Sequence, residues 1–577
     1  MKQKIRVLAV LLSLCTLTGL MGGCGKTTVA TSNETPGDSA APTESETTEA
    51  VSKLEKTSAV SAQDETSMQE IQVPDLEPVS LPIVDEEMHV SLWSIVRPQI
   101  TAYIQTTDDI YLYKATRERT NIAFDAQFIS LDAATEKFTL MAASGDFTDV
   151  VQDIDYYSSG VNGALEEEII YDLYDYVMDY APHYWSAISS NSEALTTLIN
   201  QDGQMGTLAT LYKEPGLEAN GLCVRGDWME EFGLSEIVTY DDLHEYLEQA
   251  AEKKGVGMSL ASDGQCFELS QGYGVIAGEY STYDNQVKHY IETDGYYDYL
   301  VMLNQWYREG LIDQDFVSQS GLAALGEMFI QDKSSVGEFH AAAMVGLNGI
   351  ASDPNAVYVS IPNAKQNPED EYTIGKTNSI LKNAYTWSIS TQCDPEKIPA
   401  LVQLTDYFYS DEGILLYNYG TEGYTFEYDE KGTPVFTELI TNNEQFDATT
   451  SMALYVSGTI PSIFDQAREY YDLSDLGWQA IETFSSQNIG KNVLPDNISA
   501  FLTNEETTEL AKISGDVDTL VESTVLSFIT ADTAPTQEEF DAFVQNCISM
   551  GLDQMDGINQ TAYDRYLESA NSAQSSN

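Results

Sequence analysis

The sequence predicts a two-lobed α/β protein, each lobe a mixed, mainly parallel sheet flanked by helices, with a ligand cleft between the lobes. Three observations carry this expectation. Strand-like and helix-like segments alternate from Met88 to Val151, the pattern restarts near Leu222, and a late return of the chain to the first half is expected. Open α/β sheets bind ligands outside the carboxyl ends of their strands, and two such edges facing each other suit a polar small molecule.

The amino-terminal residues decide the compartment. Lys2, Lys4 and Arg6 form a basic start, and Val7 to Leu20 is an apolar run too short to span as a mature helix. Leu20-Met21-Gly22-Gly23-Cys24 resembles a bacterial lipobox, with Met21 where Leu is more usual. The expectation is a signal peptide over 1–23, diacylglycerol on Cys24, and attachment to the extracytoplasmic face of the membrane through that lipid alone. Residues 24–85 carry Ser, Thr, Glu, Ala and Pro without an aromatic, as in Ala41 to Ala50. Such a stretch buries too little apolar surface to offset its ordering entropy and reads as a disordered tether.

The other residues of the 577 are rich in Tyr, Leu, Ile and Trp, enough for a large core or two domains. With 92 acidic against 27 basic residues the formal net charge is −65, which repels nucleic acid and anionic headgroups. It also weighs against a uronate polymer as ligand. Of six cysteines, Cys15 falls in the signal peptide and Cys24 is the anchor. Cys223, Cys266, Cys393 and Cys547 lie far apart without C-x-x-C spacing, which argues against metal and leaves disulfides open. Cys547 belongs to the apolar stripe Phe540, Phe543, Val544, Cys547, Ile548 and is expected as a buried thiol.

The first half reads as a strand over Met88 to Trp93, a helix carrying Leu112 and Ala115, a strand over Ile122 to Phe128, a helix from Glu136 ending at Gly145, and a strand at Asp149 to Val151. The second half opens with the strand Leu222 to Arg225 and the short helix Trp228 to Phe232. Thr239 and Asp242 form a capping box ahead of the stripe Leu243, Tyr246, Leu247, Ala250, Ala251, which ends at Lys253-Lys254-Gly255. A further helix carries Tyr299, Leu300, Leu303 and Trp306, followed by strands at Ser335 to Phe339 and Ala356 to Ile361. From about residue 466 the pattern is helical, with a second capping box at Thr536 and Glu539. The expected organisation is a first lobe over 86–200, a second over 201–382, a return to the first over 383–465, and a helical region over 466–577 packing on both.

Several segments resemble the extracellular solute-binding proteins of family 1, in particular the long lipoprotein branch common in Firmicutes. The stretch Leu140 to Val150 is similar to that family's "mlasGd.pDv", Val224 to Leu234 to its "yRkDWLdklGl", and Trp306 to Asp313 to its "wYkeGLID". Asp172-Leu173 with Tyr180 to His183, Thr239 to Leu243, Gly420 to Gly423 with Tyr428 to Gly432, and the segment Phe528 to Tyr566 complete the series in family order. Gly226 replaces a usual basic residue, and Phe329 to Val336 departs from a usual glycine-lysine pair. The resemblance implies a type II periplasmic-binding-protein-like fold that closes on a glycan and docks on the transmembrane subunits of an ABC permease.

Candidate ligand residues follow from sugar chemistry, in which aromatic rings pack on C–H faces and carboxylates accept from hydroxyls. Trp93 at the end of the first strand and Trp387 at the expected recrossing are the leading rings, with Trp185, Trp478, Tyr156 and Tyr157 behind them. Asp149 and Asp153 flank the third strand. Arg225 is a further candidate, although its R-x-D spacing to Asp227 favours structural pairing. The five histidines are scattered, the Asp429 to Gly432 stretch reads as a hairpin turn in place of a calcium loop, and no cofactor or metal is expected. The function expected is a monomeric, non-enzymatic binding component that delivers an oligosaccharide to an ABC importer. The alternatives are a binder of a peptide or other polar solute, or a sensor presenting its ligand to a membrane kinase.

Overall fold

A computed structural model describes residues 76–577 except 98–99, 158, 215–219, 262–263, 265, 319–327, 342–350, 354, 377, 383–384, 447, 470–474 and 576–577. The expected signal peptide, Cys24 and most of the tether lie outside the described residues.

The chain opens with β1 (Met88–Val96), α1 (Tyr111–Thr120), β2 (Ile122–Ser130), α2 (Ala134–Ser144) and β3 (Val150–Gln152). Because a helix separates each strand from the next, β1 pairs in parallel with both β2 and β3. The helices stop where the sequence supplies residues tolerant of the left-handed region, Asn121 at φ 60° after α1 and Gly145 at φ 73° after α2. Alternation along β1 divides the core in two. Val90 and Leu92 face one layer with Val150, while Trp93 and Ile95 face the other with Phe138 and Val151. The short α3 (Ser192–Leu198) is capped by Asn191, whose side chain accepts from the N–H of Ala194 at 3.1 Å.

After β4 (Leu211–Tyr212) the chain crosses into a second body, with β5 (Asn220–Arg225), α4 (Gly226–Phe232), α5 (Tyr240–Lys254), α6 (Tyr296–Glu309), β6 (Val336–His340) and β7 (Tyr358–Ser360). The box before α5 forms as read: Thr239 accepts from Asp242 N–H, Asp242 accepts from Thr239 N–H, and Gly255 closes the helix at φ 73°. Here β5 is central and antiparallel to both β6 and β7, while bridges between Thr239 and Lys365 and between Met258 and Ile312 add parallel pairing.

The chain then returns to the first sheet as β8 (Trp387–Ile389), antiparallel to β3, giving the order β2-β1-β3-β8. Helix α7 (Ile398–Phe408) buries Leu401, Leu404 and Phe408 against this lobe. At β9 (Ile463–Phe464) the chain lies parallel to β4, and it crosses a third time into α8 (Asp475–Ser485). Helices α9 (Asn504–Thr530), α10 (Gln537–Met550) and α11 (Leu552–Ser575) finish the chain. Val517, Val521, Val525 and Ile529 of α9 share one core with Leu243 and Leu300, so this end of the chain is built into lobe 2. Helix α11 also meets α3 of lobe 1. Among the described residues Cys223, Cys266, Cys393 and Cys547 form no disulfide, and Cys547 is buried. Among the described residues no helix is long and apolar enough to cross a membrane.

Candidate ligand cleft

The edge of lobe 1 turned towards lobe 2 is fixed by connectivity. The second crossing delivers Tyr385 and Thr386 to the carboxyl end of β3, because β8 runs antiparallel to β3 with Trp387 opposite Gln152. Leu208, shortly before the first crossing, bridges Trp387 at the same place. The carboxyl ends of β1 and β3 therefore lie beside the hinge.

Polar groups are tied together there. The buried Gln152 accepts from the N–H of Ile95 at 2.8 Å and donates to Asp153 Oδ2 at 2.8 Å. Asp153 turns the chain at φ 53°, its Oδ1 accepts from Thr386 N–H at 2.9 Å, and its own N–H donates to the Thr386 carbonyl at 3.0 Å. Burial raises the Asp153 carboxyl above its ordinary value despite these donors. Asp155 is solvent-accessible yet ringed by protein, and the lost hydration raises it in the same direction. Tyr156 lies 5.8 Å from Phe138, ring to ring, and burial and the Asp153 charge raise its hydroxyl. One layer beneath, Ser94, Tyr113 and Thr459 form a buried hydroxyl cluster, with 2.7 Å between the last two.

On lobe 2 the facing edge comprises the start of β5, the end of β6 and the turn after β7. Helix α8 follows the third crossing and packs on β5 and β7, with Phe484 so close to Gly221 that a Cβ there would meet the ring at 2.2 Å. Trp478, in the first turns of α8, is half-buried against the cluster of Phe329, Phe339 and Phe484.

The residues singled out in the sequence do not all converge. Asp153, Tyr156 and Tyr157 share the lobe 1 edge, although Tyr157 donates to Glu167 at 2.6 Å, which pushes its hydroxyl up to about 12. Asp149 stands at the opposite end of β3. Its carboxylate accepts from Ser91 N–H at 2.9 Å and from Lys397 at 3.1 Å, and these outweigh burial to leave it below its ordinary value. Trp93 and Trp387 are 3% and 1% exposed, so neither offers a free ring face. Trp185 is half-buried, edge-on to Tyr174 at 5.9 Å. Arg225 ends β5, five residues or about 16 Å from the edge where β5 enters. Its guanidinium is held by Asp227, Asp332 and Asp353, so the pairing with Asp227 is realised. Gln152, Asp155 and Thr386 were missed. A polar residue ending the apolar run Val150-Val151 was the one available signal for the first of them.

The fold is similar to that of solved solute-binding proteins. The alginate-binding protein AlgQ2, in a calcium-free crystal structure, superposes with a TM-score of 0.64 at 19% identity, covering 84% of this chain and 99% of that one. Two curated proteins of Bacillus subtilis (strain 168) are similar in sequence. The polygalacturonan/rhamnogalacturonan-binding protein YtcQ is 22% identical over 341 residues, or 56% of this chain and 64% of that protein. Lipoprotein LipO is 21% identical over 348 residues, or 57% and 66%. The matches thus span less than two thirds of either relative. No family model matches the chain.

Proposed function

We propose that this chain is the lipid-anchored, extracytoplasmic capture protein of an ABC importer, closing its lobes on an oligosaccharide and passing it unaltered to the permease. The observation that carries the reading is the polar edge Gln152-Asp153-Asp155-Tyr156, set beside three hinge crossings and opposed by the lobe carrying Trp478. A relative named for binding polygalacturonan and rhamnogalacturonan supports a carbohydrate ligand, although that relative's ligands are uronate-containing, and one named a lipoprotein supports the anchor on Cys24.

Asp153 and Asp155 accept hydrogen bonds from sugar hydroxyls, while Tyr156 and Trp478 supply ring faces. Two carboxylates at one strand edge favour neutral, hydroxyl-rich units over uronates. Trp93 and Trp387 support that edge from beneath.

The test is a thermal-shift screen of the mature chain against mono- and oligosaccharides, neutral and acidic. A ligand that binds the folded form raises its stability by RT ln(1 + [L]/Kd). Neutral oligosaccharides are expected to raise the melting temperature. Stabilisation by peptides with none from any glycan contradicts the reading. For the anchor, Cys24→Ala is expected to release the protein from the membrane fraction.

A further inference from the structure

The three crossings between the lobes leave lobe 1 side by side, with β4 in the middle. On one side of β4 the Tyr212 N–H donates to the Ile380 carbonyl at 2.7 Å, and the Lys382 N–H donates to that of Thr210 at 3.0 Å. On the other side Leu211 and Lys213 donate to the carbonyls of Ser462 and Phe464, at 3.0 and 2.9 Å. Leu211 bridges Leu381 and is paired with Ile463. Side chains alternate along extended chain, so one face of this ribbon carries Leu211, Leu381 and Ile463, all buried in the lobe 1 core. The other face carries Tyr212, Lys382 and Phe464, one residue from each crossing.

Those three side chains meet. Lys382 Nζ lies 4.1 Å from the centroid of the Phe464 ring and 5.1 Å from that of Tyr212, and the two rings are edge-on at 5.9 Å. Phe464 is buried and Lys382 half-buried, so the attraction of the ammonium for the rings acts where water weakens it less. Phe464 is itself fixed in lobe 1. The buried Arg468 guanidinium lies 4.8 Å from its ring and donates to the carbonyls of Tyr417 and Val456, each at 3.0 Å. A further link, Lys213 to Asp465 at 3.2 Å, is exposed on its lysine side and contributes little.

Lys382 also belongs to the crossing that reaches the ligand edge. Tyr385 beyond it stands at φ 64°, a left-handed backbone that costs a tyrosine energy, and its carbonyl accepts from the Thr210 hydroxyl at 3.1 Å. Thr386 then donates to Asp153.

We propose that Lys382 is the clamp of the hinge: by holding rings of the first and third crossings it makes all three move together, and so sets the closure equilibrium of the lobes without touching the ligand. The proposal rests on the capture reading above and adds to it a positioning residue. Closing two lobes about one axis requires the crossings to bend together. Unclamped, each crossing samples bends of its own, and binding must suppress them. Affinity then falls with the fraction of chains in the competent arrangement.

The test compares the mature wild-type chain with Lys382→Met, which keeps the stem and removes the charge, and Lys382→Arg, which keeps a cation. Hydrogen exchange without ligand reads the clamp directly. The amides of Leu211, Tyr212 and Lys213 are expected to exchange about fivefold faster or more in Lys382→Met and at the wild-type rate in Lys382→Arg, with those of β5 and α7 unchanged throughout. Calorimetry uses whichever of malto-, cello-, manno- and galactotetraose binds wild type. Lys382→Met is expected to bind it about five- to tenfold more weakly, and Lys382→Arg within about twofold of wild type. Weaker binding with unchanged exchange overturns the clamp and makes Lys382 a ligand contact. Faster exchange with unchanged affinity overturns its control of closure. Binding of no tetrasaccharide by wild type overturns the carbohydrate reading alone, and the exchange rates still decide the clamp.

Discussion

Trp93 and Trp387 lie on opposite faces of the same sheet: Trp93 is paired with Val151 and packs edge-on to Phe138 at 5.9 Å, while Trp387 is paired with Gln152 and packs on Phe124 at 5.5 Å. Side chains of adjacent strand positions point to opposite sides. The two rings therefore cannot clasp one ligand between them. Neither indole N–H has a protein partner among the described residues, an unusual cost for buried donors.

Trp93→Ala and Trp387→Ala are accordingly expected to act first on stability, each costing about 3–5 kcal/mol as for a large buried ring. Urea titration reads that loss. Unchanged midpoints with a selective loss of binding would make the rings ligand platforms instead.

Asp153→Ala removes an acceptor that also positions Thr386 and Gln152. A hydrogen bond to a charged group contributes about 1.5–3 kcal/mol, so affinity for the oligosaccharide should fall about 10- to 100-fold by calorimetry. Asp149→Ala, at the other end of β3, should leave affinity within about twofold while lowering the melting temperature through loss of the Lys397 contact. Equal affinity losses in the two variants would contradict the assignment of the edge.

Arg225→Met leaves Asp227, Asp332 and Asp353 facing one another without their cation. The guanidinium is buried but its three carboxylates are 29%, 30% and 39% exposed, so the loss is expected to be about 1.5–3 kcal/mol, as for hydrogen bonds to a charged group. Denaturant melts should show this, and ligand affinity of the folded fraction should be unchanged. A normal melt with lost binding would place Arg225 in the site.

A pH dependence follows from Asp556 on α11, whose carboxyl is raised well above its ordinary value by burial and then by the neighbouring Glu292. A raised folded-state value means that the folded form keeps a proton the unfolded chain releases. That contribution is complete below about pH 4 and is lost as pH rises from there through neutrality. Asp556→Asn should flatten this part of the profile and raise the melting temperature at pH 8 relative to wild type. His289 nearby is pushed the other way, down to about 4 by burial, and is common to both proteins, so the difference isolates Asp556. Parallel melting profiles from pH 4 to 9 would rule the coupling out.

Local chemistry was legible in the sequence. The box at Thr239 and Asp242, the box at Thr536 and Glu539, the thiol of Cys547 on its apolar stripe, and the hairpin around Asp429 to Gly432 all depend on residues a few positions apart. Pairing direction in lobe 2 was not, because β5 meets β6 and β7 only after more than a hundred residues of intervening chain, and no local signal records the direction of return. The candidate site was legible in part. Asp153 and Tyr156 fall on the edge, but Asp149, three positions before Gln152, sits at the far end of a strand whose boundaries no side-chain pattern marks. Which face Trp387 takes depends on the register of β8 against β3, which is likewise set by tertiary pairing.

Closure of two lobes on an unaltered sugar is the claim beneath all of these. Small-angle scattering of the mature chain, with and without a saturating oligosaccharide from the thermal-shift screen, tests it most directly when the recovered ligand is weighed by mass spectrometry. A fall in the radius of gyration with the oligosaccharide recovered intact is the predicted result. An unchanged radius at saturation, or recovery of cleaved sugar, would contradict it.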